Sequence, residues 1–180
     1  MTTVAVAART PRTRALGILV AVGALALASQ FALPIPGTPV PITLQPLLVV
    51  LAGLILGPLD AAAAMVAYLV AGIAGLPVFS PYGAPGIARL FGPTGGYLLA
   101  YPVAAAVSGW LGGGRESFVT RALAAMAGIA VLYVGGLAQL AVISGSFATA
   151  AVMGVMPFVA ADAVKALVAA AVTGRRRGAR

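Results

Sequence analysis

The chain has 180 residues, 62% of them apolar and only 8% charged, with 11 basic and 3 acidic side chains and a net charge of +8. A water-soluble domain carries roughly 25% charged residues, so a soluble fold is excluded and an integral membrane protein with one compact all-α domain is expected. Cysteine and histidine are both absent, which removes disulfides, thiolate chemistry, most zinc sites and the usual neutral-pH proton shuttle.

In chain order, Arg9, Arg12 and Arg14 precede a first apolar segment that predicts a helix over 15–33. Along it, Gly17 and Ala21, then Ala24 and Ala28, place small residues four apart, a flat face for close packing on a second helix. Both a neighbour inside the bundle and a partner subunit fit that face. The same stretch, ending Ala26-Leu27-Ala28, also fits a secretory signal with a cleavage site, and cleavage would leave five spans.

Next comes Pro34–Thr43, whose four prolines exclude a continuous helix. A helix over 44–57 follows, roughly 21 Å long at 1.5 Å per residue, too short for a hydrocarbon core of about 30 Å. The proline segment is therefore expected to dip into the membrane, where irregular backbone is tolerated only against protein or a cavity. Helices over 60–76, 93–111, 121–143 and 157–174 complete six spans. A loop rich in Gly, Pro and aromatics, 77–92, lies on the same side as the proline segment.

Six spans put both termini on one side. Nine arginines fall there: Arg9, Arg12, Arg14, Arg115, Arg121, Arg175, Arg176, Arg177 and Arg180. The opposite side has Arg89 alone, so the positive-inside rule makes both termini cytoplasmic. This is topological charge in a cell membrane, and it argues against a nucleic-acid partner.

Polar side chains gather toward the outer half of the predicted bundle: Gln30, Thr43, Gln45, Tyr82, Arg89, Gln139, Asp162 and Lys165. The last two are the sharpest signal. Charges within a span cost about 2.5–3.5 kcal/mol each on insertion scales, and positions i and i+3 share a helix face. A polar focus on one side of an apolar bundle is what an outward-facing small-molecule pocket needs. Gly92-Pro93-Thr94-Gly95-Gly96-Tyr97 opens the fourth span, with proline in a first turn that does not need its N–H. The glycines allow close backbone approach. No Gly-x-x-x-x-Gly-Lys-Ser/Thr loop occurs, so ATP-driven transport would need another chain.

These residues resemble the BioY family of biotin-binding S components of energy-coupling factor transporters. The resemblance runs from about Ala15 to Gly174. It rests on Val40-Pro41-Ile42-Thr43-Leu44-Gln45, Leu51-Ala52-Gly53-Leu54-Ile55-Leu56-Gly57-Pro58, Gly75-Leu76-Pro77-Val78-Phe79, Gly92 to Tyr97, and Pro157…Asp162-x-x-Lys165. It implies a six-helix S-component fold in a prokaryotic plasma membrane, with Asp162 and Lys165 contacting biotin. It further implies docking onto a transmembrane coupling protein and two ATPase subunits through the small-residue face of the first helix, with no cofactor and no catalytic residue.

Biotin fits the residues chemically. Asp162 can accept from a ureido N–H and Lys165 can donate to the carbonyl. Arg89 is the outer cation for the carboxylate, and Phe79, Tyr82 and Tyr97 cover the apolar ring and chain. Gln45, Gln139 and Gly83, in the 80–85 loop, complete the candidate set. The reverse orientation, carboxylate on Lys165, stays open. So do an S component for another vitamin, a proton- or ion-coupled carrier in which Asp162 titrates, and a membrane enzyme using Asp162 as acid or base. The last is disfavoured by a lone intramembrane carboxylate with no metal-ligand cluster.

Overall fold

Each long apolar segment becomes a helix, and local chemistry marks its ends. A computed structural model describes residues 10–175. The long helices are α1 (Pro11–Gln30), α2 (Gln45–Leu56), α3 (Pro58–Ile73), α5 (Gly95–Gly112), α6 (Phe118–Ser144) and α8 (Val159–Arg175); α4 (Ala88–Phe91) and α7 (Phe147–Gly154) are short. Thr10, Ser117 and Ser146 cap α1, α6 and α7 by accepting from a backbone N–H three residues on. Arg9, Arg176, Arg177 and Arg180 lie outside the described residues.

The six predicted helices agree with α1, α2, α3, α5, α6 and α8 to within four residues at every end. Three features were not foreseen. The first is a hairpin: Ala32–Leu33 (β1), expected as the end of the first helix, pairs antiparallel with Ile42–Thr43 (β2) at the end of the proline segment, in register Ala32 with Thr43 and Leu33 with Ile42. The second is α4. The third is α7, which meets α8 at 54°. Pro157 sits at that break, where it cannot continue an i to i−4 ladder. By length and composition α1 and α6 can each cross a membrane, as can the bent α7–α8 pair if taken as one span.

Packing is close because the contacts are small. α5 lies against α6, α2 and α3; α8 lies against α6 and α2. The buried surfaces carry Ala61, Ala64, Ala104, Ala105, Ala125, Ala166 and Ala169, as expected where dispersion rather than water exclusion holds helices together. At the α2–α5 crossing, Gly53 and Gly109 face each other. A Cβ on Gly53 would run into the Ala105 carbonyl oxygen, and one on Gly109 would lie 2.8 Å from the Gly53 oxygen. Outward, the bundle shows Leu19, Leu27, Val134 and Val142 to its surroundings. That surface suits lipid and would aggregate in water.

The small-residue face of α1 turns inward. Ala28 is buried, Ala21 packs on the core, and a Cβ on Gly17 would touch Leu56. Ala24 is half-buried beside them. α1 packs closely on α2 and α3, which uses that face, while Leu16, Leu19, Val20 and Leu27 point outward.

The two ends of the bundle differ. At one end Arg14 pairs with Asp60 at 2.6 Å, tying the start of α1 to the start of α3. Arg121 donates there to the Ala170 carbonyl at 3.0 Å and to the 115 and 116 carbonyls, holding the last turn of α8. The opposite end has the hairpin, the 77–92 loop and the α7–α8 bend.

Gly53→Ala is predicted to lower thermal stability in detergent by about 1–3 kcal/mol through overpacking. Gly23→Ala is the control, since a Cβ there meets nothing within 4 Å. A melting scan on the two variants checks this, with Gly23→Ala at or above the parent.

Candidate functional site

α8 starts just after the bend at Pro157, which puts Asp162 in its first turn. A carboxylate is favoured there by the helix dipole. Lys165, one turn on, donates to Asp162 Oδ1 at 2.6 Å, and the Tyr133 hydroxyl on α6 donates to Oδ2 at 2.8 Å. Asp162 is 4% and Lys165 8% exposed, so neither meets lipid. Both carboxylate oxygens are engaged and the pair is neutral. The ammonium has three N–H donors, and one is taken by Asp162.

Around this pair lies a cavity of about 670 Å³, counting its open mouth. Its apolar walls include Val40 and Pro41 from the hairpin, Phe79 from the loop, Leu98 on α5 and Phe158 at the bend. Tyr97 and Tyr101 of α5 add aromatic faces. The Tyr97 hydroxyl is fixed by donating to the Gly154 carbonyl at 2.6 Å. Gly96 lets α5 approach α6 here, since a Cβ on it would strike the Gly135 carbonyl oxygen.

Arg89, on α4, also lines the cavity and is 5% exposed. Its guanidinium staples the loop: Nε donates to Ala84 O at 2.9 Å, Nη1 to Ser80 Oγ at 3.3 Å and to Tyr82 O, and Nη2 to Ser80 O. Four of its five N–H donors are thus occupied, and all the acceptors are uncharged. Of the chain's three carboxylates, Asp162 pairs with Lys165 and Asp60 with Arg14, while Glu116 lies at the opposite end. Burial lowers the Arg89 pKa, but from a value so high that it stays cationic. The lining therefore carries one positive charge in excess.

Six of the nine predicted binding residues come together on this cavity: Gln45, Phe79, Arg89, Tyr97, Asp162 and Lys165. Three do not line it. Gln139 donates to Leu90 O at 2.8 Å and Gly92 O at 2.7 Å, anchoring the turn between α4 and α5. Tyr82 points outward, 48% exposed, and contributes its carbonyl to Arg89. Gly83, at φ +109, passes so close to Arg89 that a Cβ would lie 2.8 Å from Nη1. Tyr133 and Tyr101 were missed. The available signal was a tyrosine inside an apolar span, whose hydroxyl needs a partner.

The fold is that of an S component. A solved crystal structure of the S-component for biotin from an ECF-type ABC transporter superposes with a TM-score of 0.82, covering 95% of each chain at 22% identity. The BioY family model matches residues 3–179. "Probable biotin transporter BioY" of Pyrococcus horikoshii is 41% identical over 78% of this chain and 82% of its own. "Biotin transporter BioY" of Thermotoga maritima is 37% identical over 78% and 83%. This chain belongs to the BioY family.

Breaking the buried pair from one side leaves a stranded charge. Lys165→Met alone is predicted to cost about 3–5 kcal/mol of stability, and Asp162→Asn with Lys165→Met to recover most of it. Thermal unfolding in detergent of the single and double variants reads the difference.

Proposed function

We propose that this protein captures biotin in the cavity and carries it across the membrane as the substrate-binding subunit of an energy-coupling factor transporter. One observation carries the reading: a neutral Asp162–Lys165 pair and a buried cation without a carboxylate, Arg89, share one largely apolar cavity. Biotin has the matching parts. Its uncharged ureido ring offers N–H donors and a carbonyl acceptor to the pair. Its ring and chain suit Phe79, Leu98 and Tyr97. Its single carboxylate neutralises the excess charge.

The six long helices are read as six crossings with both termini cytoplasmic, because the arginines of the described residues, Arg89 apart, gather at the end away from the cavity. The cavity then opens outward. With no phosphate-binding loop in the chain, the energy comes from partners: a transmembrane coupling protein and two ATPase subunits.

Two orientations of biotin are compatible with these groups. Arg89 favours the carboxylate at the loop, while the uncommitted N–H donors of Lys165 favour the reverse. The test is equilibrium binding of labelled biotin to purified protein, in competition with unlabelled biotin and its methyl ester. Free biotin is expected to bind one per chain, and the ester to bind at least about thirtyfold more weakly, as when a buried charge loses its partner. If Arg89→Ala abolishes that preference, the carboxylate sits at Arg89; a preference that persists in Arg89→Ala puts it at Lys165. A parent that does not bind biotin sinks the proposal.

A further inference from the structure

Tyr68 lies behind the cavity wall, fully buried on α3, and touches none of the open space. Its hydroxyl sits 2.9 Å from the Val78 carbonyl and 2.9 Å from the side-chain nitrogen of Gln45. A backbone carbonyl can only accept, so the single hydroxyl proton goes to Val78 and the phenol oxygen is left to accept. That turns the NH2 of the Gln45 amide toward Tyr68 and the amide oxygen away from it.

Among the described residues the Gln45 amide oxygen has no hydrogen-bond partner. Yet among the described residues no buried side-chain nitrogen or oxygen is left unpartnered. Gln45 lines the cavity, so this oxygen reaches the cavity's open space. We propose that Tyr68 is a positioning residue for ligand capture: it sets the Gln45 amide so that an acceptor oxygen meets a ligand N–H. This rests on the biotin reading, and the ligand group it selects is a cyclic-urea-type N–H donor. Without the relay the amide is free to turn, and the site no longer favours a donor over an acceptor at that point.

A rival role for Tyr68 is to hold the 77–79 segment, which carries Phe79. That segment has other anchors. Val78 O also accepts from the Ser29 hydroxyl at 2.6 Å, and the Gln30 amide donates to Pro77 O at 3.3 Å and Phe79 O at 3.1 Å. The Phe79 ring meets the Tyr68 ring edge-on at 5.5 Å, a contact that phenylalanine keeps. Tyr68→Phe therefore removes the relay and little else.

The experiment is a double-mutant cycle on biotin affinity with Tyr68→Phe, Gln45→Met and the pair. Tyr68→Phe is expected to weaken binding about three- to tenfold, the scale of one neutral hydrogen bond, and to have no further effect in the Gln45→Met background. Gln30→Ala, which removes the amide contacts to Pro77 and Phe79 and leaves the Tyr68–Gln45 contact in place, is expected to change affinity less than about twofold on the same scale. The proposal is overturned if Tyr68→Phe binds as the parent does, if its effect is equal in both backgrounds, or if Gln30→Ala reproduces it. A parent that fails to bind biotin overturns the underlying reading, a result distinct from parental binding that Tyr68→Phe leaves unmoved.

Discussion

The carboxylate of Asp162, held at once by Lys165 and by Tyr133, is the constraint around which this bundle is arranged. Water cannot solvate an ion in the hydrocarbon region, so the pair must be neutral in sum, supplied with hydrogen bonds and shielded from lipid. Shielding it takes walls from across the chain: the hairpin, the start of α2, the loop after α3, α5, α6 and the end of α7. Those walls can close only if the helices behind them approach tightly. The alanine and glycine contacts between α2, α5, α6 and α8 make that approach possible.

Polar side chains at the cavity end divide into two kinds. Thr38, Gln30 and Gln139 donate to backbone carbonyls of Met153, of the 77–79 segment and of the α4–α5 turn. They satisfy the non-helical backbone that covers the mouth, the condition for irregular chain at membrane depth. Gln45, Asp162 and Lys165 face the cavity. Arg89 belongs to both kinds: its N–H groups hold the loop while its net charge, which uncharged acceptors cannot cancel, remains available to an anion. One side chain thus links closure of the loop to the charge of the site.

This division explains what was legible in the sequence and what was not. A charge in an apolar run stands out whatever surrounds it, so Asp162, Lys165 and Arg89 were readable from position alone. Gln45 and Gln139 were not separable that way. Both are glutamines near a helix end, and only the tertiary fold decides whether the amide meets a cavity or a carbonyl. Tyr133 hid because an aromatic in a span equally suits core or interface. The long helices followed from hydropathy and Gly/Pro punctuation. The two-residue strands and α7 did not, since their stability comes from contacts far along the chain, as between Thr38 and Met153.

Charge balance gives the cavity a reason to distinguish empty from full. Empty, it holds Arg89, Asp162 and Lys165, a net positive charge in a medium of low polarity. A monoanion such as biotin brings the total to zero. The penalty for an enclosed ion scales with the square of its charge, so the filled cavity is the cheaper one to surround with hydrocarbon. A neutral ligand of the same shape would satisfy the Asp162–Lys165 pair and leave the imbalance in place. In the proposed biotin reading, selection of a carboxylate follows from the excess charge that Arg89 brings to the lining.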